Sequence, residues 1–94
     1  MRAARADANQ PEIVQAYRDA GATVTSLHRV GMGCPDLLVG HRGQNHLVEV
    51  KDGAKPPSAR VLTPSQEDWH GNWRGVVHIV KDIPEALAVI GIKL

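Results

Sequence analysis

Two apolar runs, Asp36-Leu37-Leu38-Val39-Gly40-His41 and His46-Leu47-Val48-Glu49-Val50-Lys51, flank the turn Arg42-Gly43-Gln44-Asn45, and this stretch constrains the fold more than any other. Each run is short, rich in Leu and Val and bounded by turn residues, the pattern of a β-hairpin. Two registers fit it. With Arg42-Gly43 as the two-residue turn, Asp36 lies across from Glu49. With Gly43-Gln44, it faces Lys51 instead. In both, Asp36, Glu49 and Lys51 leave the same face of the hairpin at its open end, because side chains alternate along a strand. A single acid near a strand end is ordinarily solvated, but here the three come together. Two carboxylates at roughly 5 Å repel unless a cation lies between them, so the pattern calls for a divalent metal with Lys51 beside it.

Size and composition set the frame. Ninety-four residues make one domain near the lower end of comfortable single-core size. With no Phe, two Trp and one Tyr, the core must be mainly aliphatic. The net charge of +1 does not by itself argue for or against a nucleic-acid partner. If a metal covers Asp36 and Glu49, however, the stretch carrying Arg29, Arg42, Lys51, Lys55 and Arg60 becomes effectively basic and a candidate DNA-binding surface. The one cysteine, Cys34, excludes an internal disulfide and fits a reducing compartment. No apolar run approaches the ~18 residues of a membrane span and the start is no signal peptide. An intracellular, cytoplasmic protein without a membrane partner is expected.

Along the chain, residues 1–8 read as a flexible arm and 9–94 as a single domain. Asn9 reads as an N-cap, with Pro11 in the first turn and Glu12 completing a variant capping box. Ile13, Val14 and Tyr17 supply an apolar stripe, and Gly21 ends the helix. Residues 22–28 read as a first strand and the hairpin as the next two. Residues 52–62 are loop-like, with Pro56-Pro57 excluding regular structure. Thr63 as N-cap and Pro64 open a second helix to about Trp73. Residues 75–80 read as an apolar strand, buried on both faces if central. A last helix starts at Ile83-Pro84-Glu85, with Leu87, Ala88 and Ile90 inward. The order α-β-β-β-α-β-α, with a crossover from the third strand to the fourth, predicts an α/β fold with a mixed four-stranded sheet flanked by helices.

Gly33-Cys34-Pro35-Asp36-Leu37-Leu38-Val39-Gly40, Leu47-Val48-Glu49-Val50-Lys51 and Leu62-Thr63-Pro64-Ser65-Gln66-Glu67-Asp68-Trp69, in that order of elements, resemble the PD-(D/E)xK nuclease core. Within that superfamily the chain is most similar to VRR-NUC (virus-type replication-repair nuclease) domains and, more distantly, to archaeal Holliday-junction resolvases. The resemblance covers Asn9 to about Leu87. It implies a restriction-endonuclease-like α-β-β-β-α-β core and a Mg2+- or Mn2+-dependent DNA endonuclease, acting on branched, flapped or junction DNA. In it, Asp36 and Glu49 supply anionic metal ligands, the Val50 backbone carbonyl a third, and Lys51 holds the attacking water and stabilises phosphate charge. A hard cation with oxygen ligands activates water and neutralises the pentavalent phosphate. Gln66 resembles the family's second-helix glutamine. The first-helix glutamate position is occupied by Gln10, and Glu12 lies about 200° around the helix, so only one of the two can point at the metal.

The remaining candidates carry less. Trp69 and Trp73, spaced i, i+4, read as core or interface before base-stacking platforms. His28, His41, His46, His70 and His78 show no metal-ligand spacing. Cys34 has no identified base to make it a nucleophile. A homodimer is expected from the small core and single site, with Trp69, Trp73, Ala86, Val89 and Ile92 as its apolar patch or, equally, as closure of the monomer core. The competing reading is a catalytically silent nucleic-acid-binding or assembly module that retains the fold.

Overall fold

The hairpin adopts the first of the two registers. The computed structural model describes residues 7–94, so residues 1–6 of the expected arm lie outside the described residues. Helix α1 spans Gln10–Asp19; strands β1 (Thr23–Ser26), β2 (Leu37–His41) and β3 (Gln44–Val50) follow; helix α2 (Pro64–Asn72), strand β4 (Val77–Val80) and helix α3 (Ile83–Val89) complete the chain. Leu37 pairs with Val48 and His41 with Gln44. Arg42 and Gly43 form the turn at φ 50° and 78°, as a type I′ hairpin turn requires. The sheet order is β1-β2-β3-β4, antiparallel except for the parallel β3–β4 pair. The expected mixed four-stranded α/β architecture is present. Among the described residues no helix is long and apolar enough to cross a membrane.

The two faces of the sheet are used differently. Leu37, Val39, Val48, Val50 and Val80 form one face and pack against Ile13 and Tyr17 of α1 and against Ala86, Leu87 and Ile90 around α3. This is the aliphatic core. Asp36, Leu38, Leu47, Glu49 and Lys51 occupy the other face, where α2 and the loop before β2 lie over the sheet, with no residue of α2 itself buried. Helix α2 stands off the sheet far enough to leave a groove of about 560 Å3 lined by Leu38, Leu47, Trp69 and Trp73.

Several expectations are corrected. Asn9 occupies the N-cap position, but no side-chain cap bond forms there and Glu12 makes no capping box. Instead Asn9 Nδ2 donates to the carbonyls of Lys51 (3.1 Å) and Lys81 (3.0 Å), tying the start of α1 to the ends of β3 and β4. The capping box belongs to α2, between Thr63 and Gln66. Residues 57–59 form one 3-10 turn despite the proline pair. Strand β4 is an edge strand, so its apolar run is not buried on both faces: Ile79 is 50% exposed. In α3 it is Ala86 that is buried, whereas Ala88 is exposed. Ala86 lies in the core, and Val89 and Ile92 pack against it; these three close the monomer and leave Trp69 and Trp73 as the candidate patch.

Gly33, at φ +84°, brings the loop before β2 against the first turn of α2. A Cβ there would meet the Ser65 carbonyl oxygen at 2.1 Å, whereas one at Gly43 would meet nothing within 4 Å. Gly33→Ala is therefore expected to lower unfolding free energy by more than the ~1–2 kcal/mol of a left-handed alanine alone, and Gly43→Asn to be tolerated. Urea denaturation of the two variants checks this; equal losses would contradict the close approach.

Candidate active site

Asp36 and Glu49 face each other at a position where neither backbone serves the other. The Lys51 N–H donates to the Val80 carbonyl (2.9 Å) on the β4 side, so by alternation Glu49 also directs its backbone towards β4. The Asp36 carbonyl accepts from the Leu27 N–H (2.8 Å), on the β1 side. At such non-hydrogen-bonded positions of an antiparallel pair the side chains approach most closely. The next residue, Val50, points its N–H the other way and donates to Asp36 Oδ2 at 2.7 Å. Its carbonyl leaves the same strand edge, towards the open end of the hairpin.

Glu49 is 1% exposed. Its Oε2 accepts from Gln66 Nε2 (3.1 Å) and lies 3.8 Å from Lys51 Nζ. Its Oε1 is buried without a hydrogen-bond partner, 3.8 Å from an equally unpartnered His70 Nε2. Burial above all, then the neighbouring Asp36 carboxyl, push Glu49 up to about 8, against the opposing pull of Lys51. Glu49 is therefore held towards its neutral form at neutral pH.

Gln66 holds the constellation together. Its Oε1 accepts from Lys51 Nζ (2.8 Å) and from the Thr63 N–H (2.9 Å), while the Thr63 hydroxyl accepts from the Gln66 N–H (3.3 Å). One amide side chain thus caps α2, anchors the Lys51 ammonium and orients Glu49. Its carbonyl oxygen and one of its two amide N–H groups are committed to protein, so Gln66 works by positioning.

The other expected residues fall into two groups. Gln10 is buried with an unpartnered Oε1, and Glu12 is exposed, so of these two only Gln10 turns inward. Arg60 lines a small cavity with Lys51. Lys55 pairs with Asp7 at 3.6 Å. Arg29 is exposed on the loop after β1. Arg42 sits at the turn, roughly 20 Å along the strand from Asp36, and is not gathered with the others. Among the described residues no three His, Cys, Asp or Glu side chains converge as a metal centre. The oxygen donors on offer are the Asp36 and Glu49 carboxyls and the Val50 carbonyl.

Two neighbours escaped sequence reasoning. His70 shares the Gln66 face of α2 through i, i+4 spacing, a signal that was present but masked by the search for His–His spacings. Burial first, then the Lys51 charge, lower its basicity, with Asp36 opposing. Asp7, assigned to the arm, has its charge felt at Glu49 and sits three residues before Gln10, whose N–H its carbonyl accepts (3.0 Å). Cys34 lies beside the acids. Burial, then Glu49 and Asp36, raise its thiol, the opposite of what a nucleophile needs.

A carboxyl raised in the folded state binds its proton more tightly there than in the unfolded chain. Metal-free stability should therefore fall as pH rises from the ordinary carboxylate range to about 8 and level off above it. Thermal midpoints measured across that window should show the slope in wild type and a flatter profile in Glu49→Gln. An unchanged slope in the variant would place the buried proton elsewhere.

Comparison of the chain with protein-family models, with curated proteins and with solved structures gives no match.

Proposed function

We propose that the chain is a divalent-metal-dependent endodeoxyribonuclease of the PD-(D/E)xK class, similar to VRR-NUC domains, that hydrolyses phosphodiester bonds in branched, flapped or junction DNA. The observation that carries this reading is Glu49, 1% exposed and set against the half-buried Asp36 carboxyl, on a sheet face that also presents Lys51. A cation between the carboxyls removes the repulsion that raises Glu49, and the unpartnered Glu49 Oε1 supplies a free donor. The all-oxygen set of Asp36, Glu49 and the Val50 carbonyl suits Mg2+ or Mn2+.

When bound, such an ion lowers the pKa of a coordinated water and polarises a phosphoryl oxygen. The chain supplies the rest. Asp36, fixed by the Val50 N–H, and Glu49, fixed by Gln66, hold their carboxylates in a set orientation. Lys51, 8% exposed and anchored on Gln66, keeps an ammonium at the mouth of the pair. There it orients the attacking water and neutralises charge that builds on the phosphate. A silent nucleic-acid-binding module would gain nothing from a buried acid held against a second one.

Asp36→Asn is expected to abolish cleavage of a labelled panel (duplex, single strand, flap, four-way junction) with Mg2+ or Mn2+, while metal-free stability stays level or rises as the repulsion is relieved. Unchanged Mn2+ affinity in that variant would contradict the site.

Lys51→Ala should reduce turnover far more than Mn2+ affinity, since the ammonium acts on water and phosphate. A rate within about threefold of wild type, ~0.6 kcal/mol in barrier, would show that Lys51 is not catalytic.

A homodimer is part of the proposal, because one site meets one strand and paired cuts need two-fold symmetry. Its apolar patch is the stacked Trp69–Trp73 pair (ring centroids 4.7 Å apart) with Val30 and Met32 beside it. Light scattering at micromolar concentration should give twice the monomer mass of 10.2 kDa. A monomer unchanged by DNA and metal would favour nicking or flap trimming.

A further inference from the structure

Beside the paired acids lies a second, smaller cavity of about 130 Å3, lined by Lys51, Arg60, Ile79, Val80, Lys81 and Glu85. Its walls carry three cations and one carboxylate. That carboxylate is already engaged: Glu85 accepts from the Lys81 backbone N–H (3.0 Å) and pairs with the Lys81 ammonium. The Arg60 Nε is buried and has no hydrogen-bond partner. Leaving a charged donor buried and unmatched costs free energy that a bound acceptor recovers. The cavity has several times the room that one water needs.

The frame of the cavity is fixed by backbone bonds. Lys51 N–H donates to the Val80 carbonyl and Gly53 N–H to the Lys81 carbonyl (3.0 Å), and a Cβ on Gly53 would meet that carbonyl at 2.7 Å. Asn9 holds the Lys51 and Lys81 carbonyls from behind. The 3-10 turn Pro57–Ala59 then delivers Arg60 to the rim. Lys51 is the shared wall: it lines this cavity, and its ammonium reaches Gln66 and, at 3.8 Å, Glu49.

We propose that Arg60 and Lys81, next to Lys51, form a phosphate-binding subsite that holds a phosphate of the substrate strand other than the one being cleaved. A planar guanidinium can present two parallel N–H donors to a phosphate, and Lys81, whose ammonium also pairs with Glu85, places a second cation beside it. Holding a neighbouring phosphate here fixes which bond along the strand reaches Asp36, Glu49 and Lys51. The ligand chemistry is an internal phosphodiester or a terminal phosphomonoester. The subsite rests on the nucleic-acid part of the reading above but not on its hydrolytic part.

The test is metal-free binding of the full chain to fluorescent oligonucleotides in which one phosphate at a time is an uncharged methylphosphonate, with and without a 5′-phosphate. One position should weaken wild-type binding about tenfold, the scale of one charge-assisted hydrogen bond. Arg60→Ala should show the same loss and no further loss at that position. Arg60→Lys should recover part of it, and Lys93→Ala, removing an exposed charge elsewhere, none of the coupling. Coupling at an internal phosphate identifies a diester as the ligand, and coupling to the 5′-phosphate a terminal monoester. Should Arg60→Ala fail to fold, Arg60→Gln reports the same coupling. Independent, additive losses at every position overturn the subsite. Cleavage with Mg2+ or Mn2+, measured separately, distinguishes the two ideas: coupling without cleavage keeps the subsite and removes hydrolysis, and cleavage without coupling does the reverse.

Discussion

The burial of Glu49 against Asp36 is the interaction on which the rest of the structure turns. A carboxyl 1% exposed beside a second acid cannot stay ionised without compensation, and the molecule supplies only part of it. Gln66 donates one hydrogen bond, Lys51 stands at 3.8 Å, and the remaining oxygen is unmatched. Folding energy is thereby left stored at this carboxyl, the feature from which the proposed cation site is argued. The neighbouring groups are understandable in these terms: Cys34 and His70 are both pushed towards their neutral forms by the same buried surroundings.

The scaffold can hold such a site because its two sheet faces divide the labour. A mainly aliphatic layer between the sheet and the α1–α3 pair, with Tyr17 its one aromatic among the described residues, carries stability, leaving the α2 face free for polar chemistry. Rigidity at the polar end comes from single side chains that span several elements. Asn9 ties α1 to two strand ends, and Gln66 ties the α2 cap to β3. In both, a residue type that ordinarily serves local capping also holds residues far away in sequence, so local and long-range order depend on the same atoms.

The elements were legible because period-2 and helical apolar patterns, Pro64 and Gly21 are local signals. The shared face of Asp36, Glu49 and Lys51 was legible because alternation fixes it in either register. The choice of register was not, since Arg42-Gly43 and Gly43-Gln44 both offer a turn glycine; the structure selects Arg42 at positive φ. The edge position of β4 was hidden for a different reason. Its apolar run suits a central strand, and only the sheet order shows that nothing pairs beyond it among the described residues. Asp7 and Lys81 reach the site region through tertiary packing, and their sequence neighbourhoods carry no mark of it. Asn9 read correctly as a helix start but for the wrong bond, because composition reports that an amide is wanted without reporting its partner.

The proton held on Glu49 gives the most direct measurement. Cation binding between Asp36 and Glu49 must displace the proton that keeps Glu49 neutral below about 8. Calorimetric titration of Mn2+ near pH 6.5, repeated in buffers of different ionisation enthalpy, should show release of close to one proton per ion, declining to none at a pH well above 8. Binding of Mn2+ with no proton release at the lower pH, or no binding at all, would contradict the assignment of this pair as a metal site.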